Sequence, residues 1–295
     1  MTSSRTCLLT GADGFLGGWI SRVGAERGYR VIDPGVWLPT SGFGDALAEI
    51  RPDVLVHAAG PSSVAGSFDD PDADFRGSVA ATQCVLDAVR TRAPDACVVY
   101  LSSAAVYGNP TRLPITEDDA LAPISPYGFH KAMCESLLRQ YAQLHSVRTV
   151  AARIFSAYGP GLRRQVVHDL FRRARPAERL RLDGTGDESR DFVHGRDVAS
   201  AIFALAERAP ARGEAFNVAT GDEVTMRQLA GAVREIAGTG DVEFTGVTRR
   251  GDPLRWRADV ARLRGLGITP SVALREGLEQ VHATLSADGA LVTPR

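Results

Sequence analysis

A short apolar run, Thr6–Thr10, leads into Gly11-Ala-Asp-Gly14-Phe-Leu-Gly17 and straight on into an amphipathic segment, Phe15–Arg27. No other stretch limits so sharply what this chain can become. Glycines at this spacing let the backbone turn hard at the end of a strand, approach a ligand closely, and bring the next helix tight against the strand. The helix start then offers free N–H groups and the positive end of its dipole, which suits a pyrophosphate. Strand, turn and helix in this order point to dinucleotide binding. The second apolar run, Arg30–Asp33, ends in a carboxylate at the distance where such sites read the ribose. Asp33 can accept hydrogen bonds from the ribose hydroxyls and repels a 2′-phosphate. No arginine or lysine lies between Val31 and Ile50 to receive that phosphate, so NAD is expected rather than NADP. Standing just before Pro34, Asp33 also reads as an ordinary turn residue.

The alternation continues. A short helix is expected at Phe43–Ile50, strands at Asp53–Ala58 and Cys97–Ser102, long helices at Ala73–Arg92 and Pro126–His145, and a strand at Arg148–Phe155. Strands alternating with helices imply crossover connections and a doubly wound, Rossmann-type parallel sheet. Only about ten residues separate Asp33 from the next helix, so the strand usual at that point is shortened or absent. The later part is less regular, with helices expected at Asp197–Arg208, Thr225–Ala237 and Val272–Leu285 and a short strand at Glu214–Val218. The fold expected is α/β: a nucleotide-binding domain over residues 1–155 with returning segments near 192–220, and a smaller α/β substrate domain from 156–191 and 221–295.

Charge sharpens this division. The whole chain of 295 residues carries a net charge of −1, which argues against a general nucleic-acid or membrane-surface binder. Residues 1–150 hold 12 basic and 16 acidic side chains, whereas residues 151–295 hold 22 and 19. The excess of cations in the second half suggests an anionic ligand there. The arginine run Arg163–Arg181 reads mainly as solvated surface charge. No apolar run approaches a membrane span. The first ten residues lack the apolar core of a signal peptide. Cys7, Cys84, Cys97 and Cys134 are scattered, so neither disulfides nor a zinc site is expected, and the reducing cytoplasm is the expected compartment.

Of the 34 basic residues, 33 are arginine and only Lys131 is lysine. A lysine kept where arginine is otherwise used throughout marks a place that needs a compact ammonium. Tyr127 lies four residues before it at the start of a helix, hence on the same face. An ammonium beside a phenol favours the phenolate, and such a phenol can take or give a proton on a sugar hydroxyl or carbonyl. Ser102 and Ser103, at the C-terminal end of a parallel strand, stand where these sheets build their sites and could steady charge on the same oxygen.

Several segments, in order, resemble the extended short-chain dehydrogenases/reductases of the NAD-dependent epimerase/dehydratase group that acts on nucleotide sugars. They are Gly11–Gly17, His57-Ala-Ala-Gly60, Ser102-Ser-Ala-Ala-Val-Tyr107-Gly108, Tyr127-Gly-Phe-His-Lys131, Arg153-Ile-Phe-Ser-Ala-Tyr-Gly-Pro-Gly161, Arg190-Asp-Phe-Val-His194 with Asp197, Phe216–Gly221 and Arg249-Arg-Gly-Asp252. The resemblance implies Ser103, Tyr127 and Lys131 as the catalytic trio, with Lys131 also holding the nicotinamide ribose. It implies cofactor contacts at Gly11, Gly14, Phe15, Leu16, Gly17, Asp33, Ala58, Ala59, Gly60, Ser102, Tyr127, Lys131 and Phe155. It implies that Ser103, Tyr127, Ser156, Arg190, Arg249 and Asp252 hold a nucleotide-sugar substrate, and no metal. Arginine suits that task because its fork matches phosphate oxygens. The helices Ala73–Arg92 and Pro126–His145 resemble those that pair into a four-helix homodimer interface. His57 and His194 read as hydrogen-bonded structural residues, and His130 as incidental.

Departures from the family pattern narrow the reaction. Dehydratases and decarboxylases of the group carry a carboxylate just after the catalytic hydroxyl, where this chain has Ala104 and Ala105. Elimination chemistry is therefore not expected. What remains is a 4-epimerase with NAD tightly held, or a 4-ketoreductase using soluble NAD(P)H, and the lack of a 2′-phosphate receiver favours the first. A non-catalytic binding protein is the third reading, disfavoured by the intact Tyr127 and Lys131. Ser78 and Ser156 stand where the family commonly has asparagine, which shortens the reach of both side chains.

Overall fold

The computed structural model describes residues 5–40, 42–174, 179–247 and 253–288. The first half runs β1 (Thr6–Thr10), α1 (Phe15–Glu26), β2 (Arg30–Ile32), α2 (Gly42–Ile50), β3 (Val54–His57), α3 (Val64–Asp69), α4 (Pro71–Phe75), a π-helical turn (Arg76–Ala80), α5 (Ala81–Arg92), β4 (Cys97–Ser103), a short 3₁₀ turn (Ala104–Tyr107), α6 (Pro126–His145) and β5 (Thr149–Ile154). The second runs β6 (Ser156–Tyr158), α7 (Gln165–Arg173), β7 (Leu180–Leu182), β8 (Ser189–Arg190), β9 (Phe192–His194), α8 (Gly195–Arg208), β10 (Arg212–Val218), β11 (Val224–Thr225), α9 (Met226–Ala237), β12 (Val242–Phe244), α10 (Ala261–Gly265) and α11 (Leu274–Ala287).

Six strands form one sheet in the order β10-β5-β4-β3-β1-β2, parallel throughout. β1, β3 and β5 are buried along their whole length, as continuous apolar runs require when helices cover both faces. Strand order reverses beside β1, between β2 and β3, and a cleft opens at the carboxyl ends there. Among the described residues no strand intervenes between β2 and α2, in line with the short spacing after Asp33.

The long pattern expected at Ala73–Arg92 is not one regular helix. Asp70 caps α4 by accepting the Ala73 N–H at 2.9 Å, and the backbone then widens into the π turn before α5. Within that turn Gly77 lies close on Pro61, where a Cβ would come within 2.8 Å of Pro61 Cδ, so a side chain there would have to push the two segments apart. α6 begins cleanly because Pro126 occupies its first turn and Ser125 Oγ accepts the Gly128 N–H at 3.2 Å. That start places Tyr127 and Lys131 in the first two turns, over the ends of the strands.

β6 pairs with β9, β8 with β11 and β7 with β12, and a separate core joins α7, α9 and α11 through Phe171, Leu229, Val233, Leu278 and Val281. α9 opens with a reciprocal cap between Thr225 and Gln228. Between these pieces α8 packs on α1 and β10 completes the large sheet.

Candidate active site

The glycine turn is built as its spacing implies. At Gly17 a Cβ would sit 2.1 Å from Gly11 O, and at Gly11 it would sit 2.7 Å from Ala59 N, so only glycine lets α1 and the turn after β3 come this close. Gly14 precedes α1 with no side-chain cap, which leaves the first N–H groups of the helix for a ligand. A cleft of about 1190 Å³ runs from this turn past the ends of the strands. Gly11, Gly14, Phe15, Leu16, Gly17, Ala58, Ala59, Gly60, Ser102, Ser103, Tyr127, Lys131 and Phe155 all line it.

At its inner end stand the three residues singled out for chemistry. Lys131 is 7% exposed, donates from Nζ to Leu101 O at 2.9 Å, and lies 5.6 Å from the centre of the Tyr127 ring and 4.7 Å from that of Tyr100. Tyr127 is half-buried, with its backbone N–H bonded to Ser67 Oγ at 3.1 Å. Ser103 Oγ accepts the Ala105 N–H at 3.2 Å, which leaves its own hydroxyl proton available to a ligand.

Beneath the trio lies a buried polar network that sequence reasoning did not assign. Ser102 Oγ donates to Glu135 Oε1 at 2.6 Å. Arg153 meets both oxygens of Glu135, at 3.0 Å from Nε to Oε1 and 2.7 Å from Nη2 to Oε2. Arg153 Nη1 donates to Tyr107 Oη at 2.7 Å, and Tyr107 in turn donates to Asn217 Oδ1 at 2.7 Å. The available signal was the four-residue step from Lys131 to Glu135, which puts the two on one face of α6.

His57 Nδ1 lies 2.9 Å from Thr10 Oγ1, and burial, reinforced by the charge of Lys131, pushes its imidazole down to about 3. His194 accepts the Arg196 N–H at 3.2 Å, and burial lowers it as well. Both stay neutral at ordinary pH, as structural histidines do. His130, expected to be incidental to the site, is paired with Asp74 of α4 at 2.5 Å.

Three expected ligand residues do not line the cleft. Asp33 is exposed and accepts the Gly35 N–H at 2.8 Å, the turn geometry that its place before Pro34 also allowed. Ser156 belongs to β6, paired with Phe192. Arg190 donates to Ser189 O at 2.8 Å and lies 5.5 Å from the centre of the Trp256 ring. Arg249 and Asp252 lie outside the described residues.

Other walls come from parts the sequence did not mark. Arg163 and Arg164, placed by sequence in a solvated run, line the cleft, and Arg164 Nη2 donates to Ser62 Oγ on the opposite wall. Arg22 lines it too, stacked 4.9 Å from the centre of the Trp19 ring, as do Gln280 and Thr284 of α11. Among the described residues no group of acids, histidines and cysteines could hold a metal, and no helix is long and apolar enough to cross a membrane.

The model of the NAD dependent epimerase/dehydratase family matches residues 7–219. A UDP-glucose 4-epimerase of Mycolicibacterium smegmatis is 35% identical over 79% of this chain and 75% of its own. A GDP-6-deoxy-D-mannose reductase of Pseudomonas aeruginosa is 31% identical over 86% and 84%. Among solved structures, MoeE5 in complex with UDP-glucuronic acid and NAD superposes with a TM-score of 0.86 at 29% identity, over 96% of this chain and 99% of that one.

Proposed function

Since the chain belongs to the NAD-dependent epimerase/dehydratase family, enzymes that act on nucleotide sugars, we propose that it is a C4 epimerase of such a sugar with NAD held at the glycine turn. The observation that carries this reading is the meeting of Tyr127, Lys131 and Ser103 in the same cleft as Gly11, Gly14 and Gly17. The cradle fits a dinucleotide: the approach of Gly11 to Ala59 and of Gly17 to Gly11 leaves no side chain over the uncapped start of α1. Gly11, Gly14–Gly17, Ala58–Gly60 and Phe155 would hold it, with Lys131 at the ribose of the nicotinamide. When bound, NAD supplies the acceptor for the C4 hydride and the donor that returns it to the other face of the 4-keto sugar.

The chain's own part is proton transfer and binding. The Tyr127 phenolic oxygen takes the proton from the sugar O4 hydroxyl and later gives it back. Lys131 holds positive charge beside that phenol, and Ser103 Oγ donates to O4 as charge develops there. Arg163 and Arg164 on the cleft wall serve the nucleotide diphosphate, a task that the family resemblance also gives, with the sugar, to Arg190, Arg249, Asp252 and Ser156. Among the described residues lining the cleft, the only carboxylate is Asp13, beside the glycine turn and away from the trio, which speaks against elimination.

A 4-ketoreductase is the second reading, favoured by the absence of a strand between β2 and α2 among the described residues and by the similarity to the GDP-6-deoxy-D-mannose reductase. In it the same trio runs one half-reaction, with Tyr127 as the acid. A homodimer belongs to the same proposal, supported by Phe75, Phe129 and Met133, which leave an apolar face open on α4 and α6. The test is to follow nucleotide sugars by NMR with purified protein, with and without added NAD(P)H. Interconversion of C4 epimers without added cofactor is expected. Strict dependence on NADPH with a 4-keto sugar selects the reductase, and no turnover in any combination would leave a binding protein.

A further inference from the structure

Lys131 is a buried cation with no carboxylate partner among the described residues. Yet an acid stands one helical turn away on the same face of α6: Glu135, 2% exposed. A lysine and a glutamate at this spacing ordinarily pair, and all the more where water is excluded. Here the carboxylate is already taken. Arg153, itself 3% exposed, reaches across from β5 with Nε and Nη2 and covers both oxygens, while Ser102 Oγ fills a further site on Oε1. The guanidinium is itself held, because its remaining nitrogen is fixed on Tyr107 Oη and on Glu117 O at 3.0 Å.

We propose that Arg153 is a positioning residue for the reaction: by neutralising Glu135 it keeps the Lys131 ammonium on Leu101 O and turned toward Tyr127. The inference rests on Lys131 serving Tyr127 and the cofactor. Two rungs tie α6 to the end of β4, Lys131 to Leu101 O and Glu135 to Ser102 Oγ. With the guanidinium gone, the Glu135 carboxylate is left uncompensated, and the ammonium one turn away on the same helix face is a counter-charge within reach. Lys131 then leaves Leu101 O, and the charge that faced Tyr127 turns the other way.

Because the chain has a single lysine, protein labelled with nitrogen-15 lysine reports one side-chain ammonium. In Arg153→Met that signal shifts, and the dissociation constant for NAD⁺ rises about tenfold. In Glu135→Leu/Arg153→Met, where both charges are removed, signal and affinity return to within about twofold of the wild type. A merely structural pair would show the same rescue of stability but would leave the lysine signal unmoved in the folded single variant. Where Arg153→Met does not fold, Arg153→Gln, which keeps donors facing Glu135, is expected to show the same shift. An ammonium signal unmoved in the single variants, or a double variant that loses NAD⁺ as strongly as the single, overturns the proposal. A wild type that fails to bind NAD⁺ contradicts the epimerase reading instead, and the lysine signal still decides the role of Arg153.

Discussion

Lys131 and Tyr127 are separated by one turn of α6, and the ammonium sits on a backbone carbonyl at 2.9 Å with aromatic rings on two sides. Replacing Tyr127 by Phe removes only a phenolic oxygen. Turnover is expected to fall about 10²- to 10⁴-fold, the usual worth of a general acid–base. Bound cofactor should remain, measured as NAD released on denaturation, and unchanged turnover would remove the proton-transfer role. His57 lends itself to a pH experiment. Its imidazole is pushed down to about 3 by burial and then by Lys131, while in the unfolded chain it takes a proton near 6.5. The unfolded state therefore binds more protons between these values, and stability falls as the pH drops from about 6.5 toward 3. In urea melts at pH 7 and pH 5, His57→Asn should lose about 2 kcal/mol less than the wild type over that interval. An equal loss in the two would show that His57 does not titrate in this window.

Elements carry the next part of the argument, and here the legibility of the sequence is uneven. The six strands of the large sheet and α1, α6 and α8 were readable because burial on a sheet favours apolar runs and a helix imposes its own period, whereas the two- and three-residue strands of the small sheets are too short to carry such a signal. The glycine turn was readable because sterics admit nothing else: at Gly17→Ala a methyl would lie 2.1 Å from Gly11 O. That variant should lose about 2 kcal/mol of stability in urea melts and its NAD⁺ binding as well. Retained binding would mean that the turn is not the cradle. The break at Arg76–Ala80 was not readable, since Ala73–Arg92 keeps one helical period throughout and the close approach of Gly77 to Pro61 joins segments far apart along the chain. The pairing of Glu135 with Arg153 was hidden for the same reason: it joins α6 to β5, and neither segment alone signals it.

At the scale of the molecule, the cleft has walls from both halves, and the half remote in sequence was the harder to foresee. Tyr127 and Lys131 announce themselves by type and spacing, whereas Arg163, Arg164, Gln280 and Thr284 line the site only because the chain folds back there. The apolar face of Phe75, Phe129 and Met133 also belongs to this scale. Phe129→Asp should turn a dimer into a monomer in sedimentation velocity, and a wild type already monomeric would contradict the proposed assembly. The most direct measurement is the position of the nicotinamide ring in crystals grown with NAD⁺. It is expected against Tyr127 Oη, with its ribose on Lys131 Nζ and its pyrophosphate on the start of α1. A dinucleotide found elsewhere, or with its nicotinamide turned away from Tyr127, would contradict the proposed chemistry.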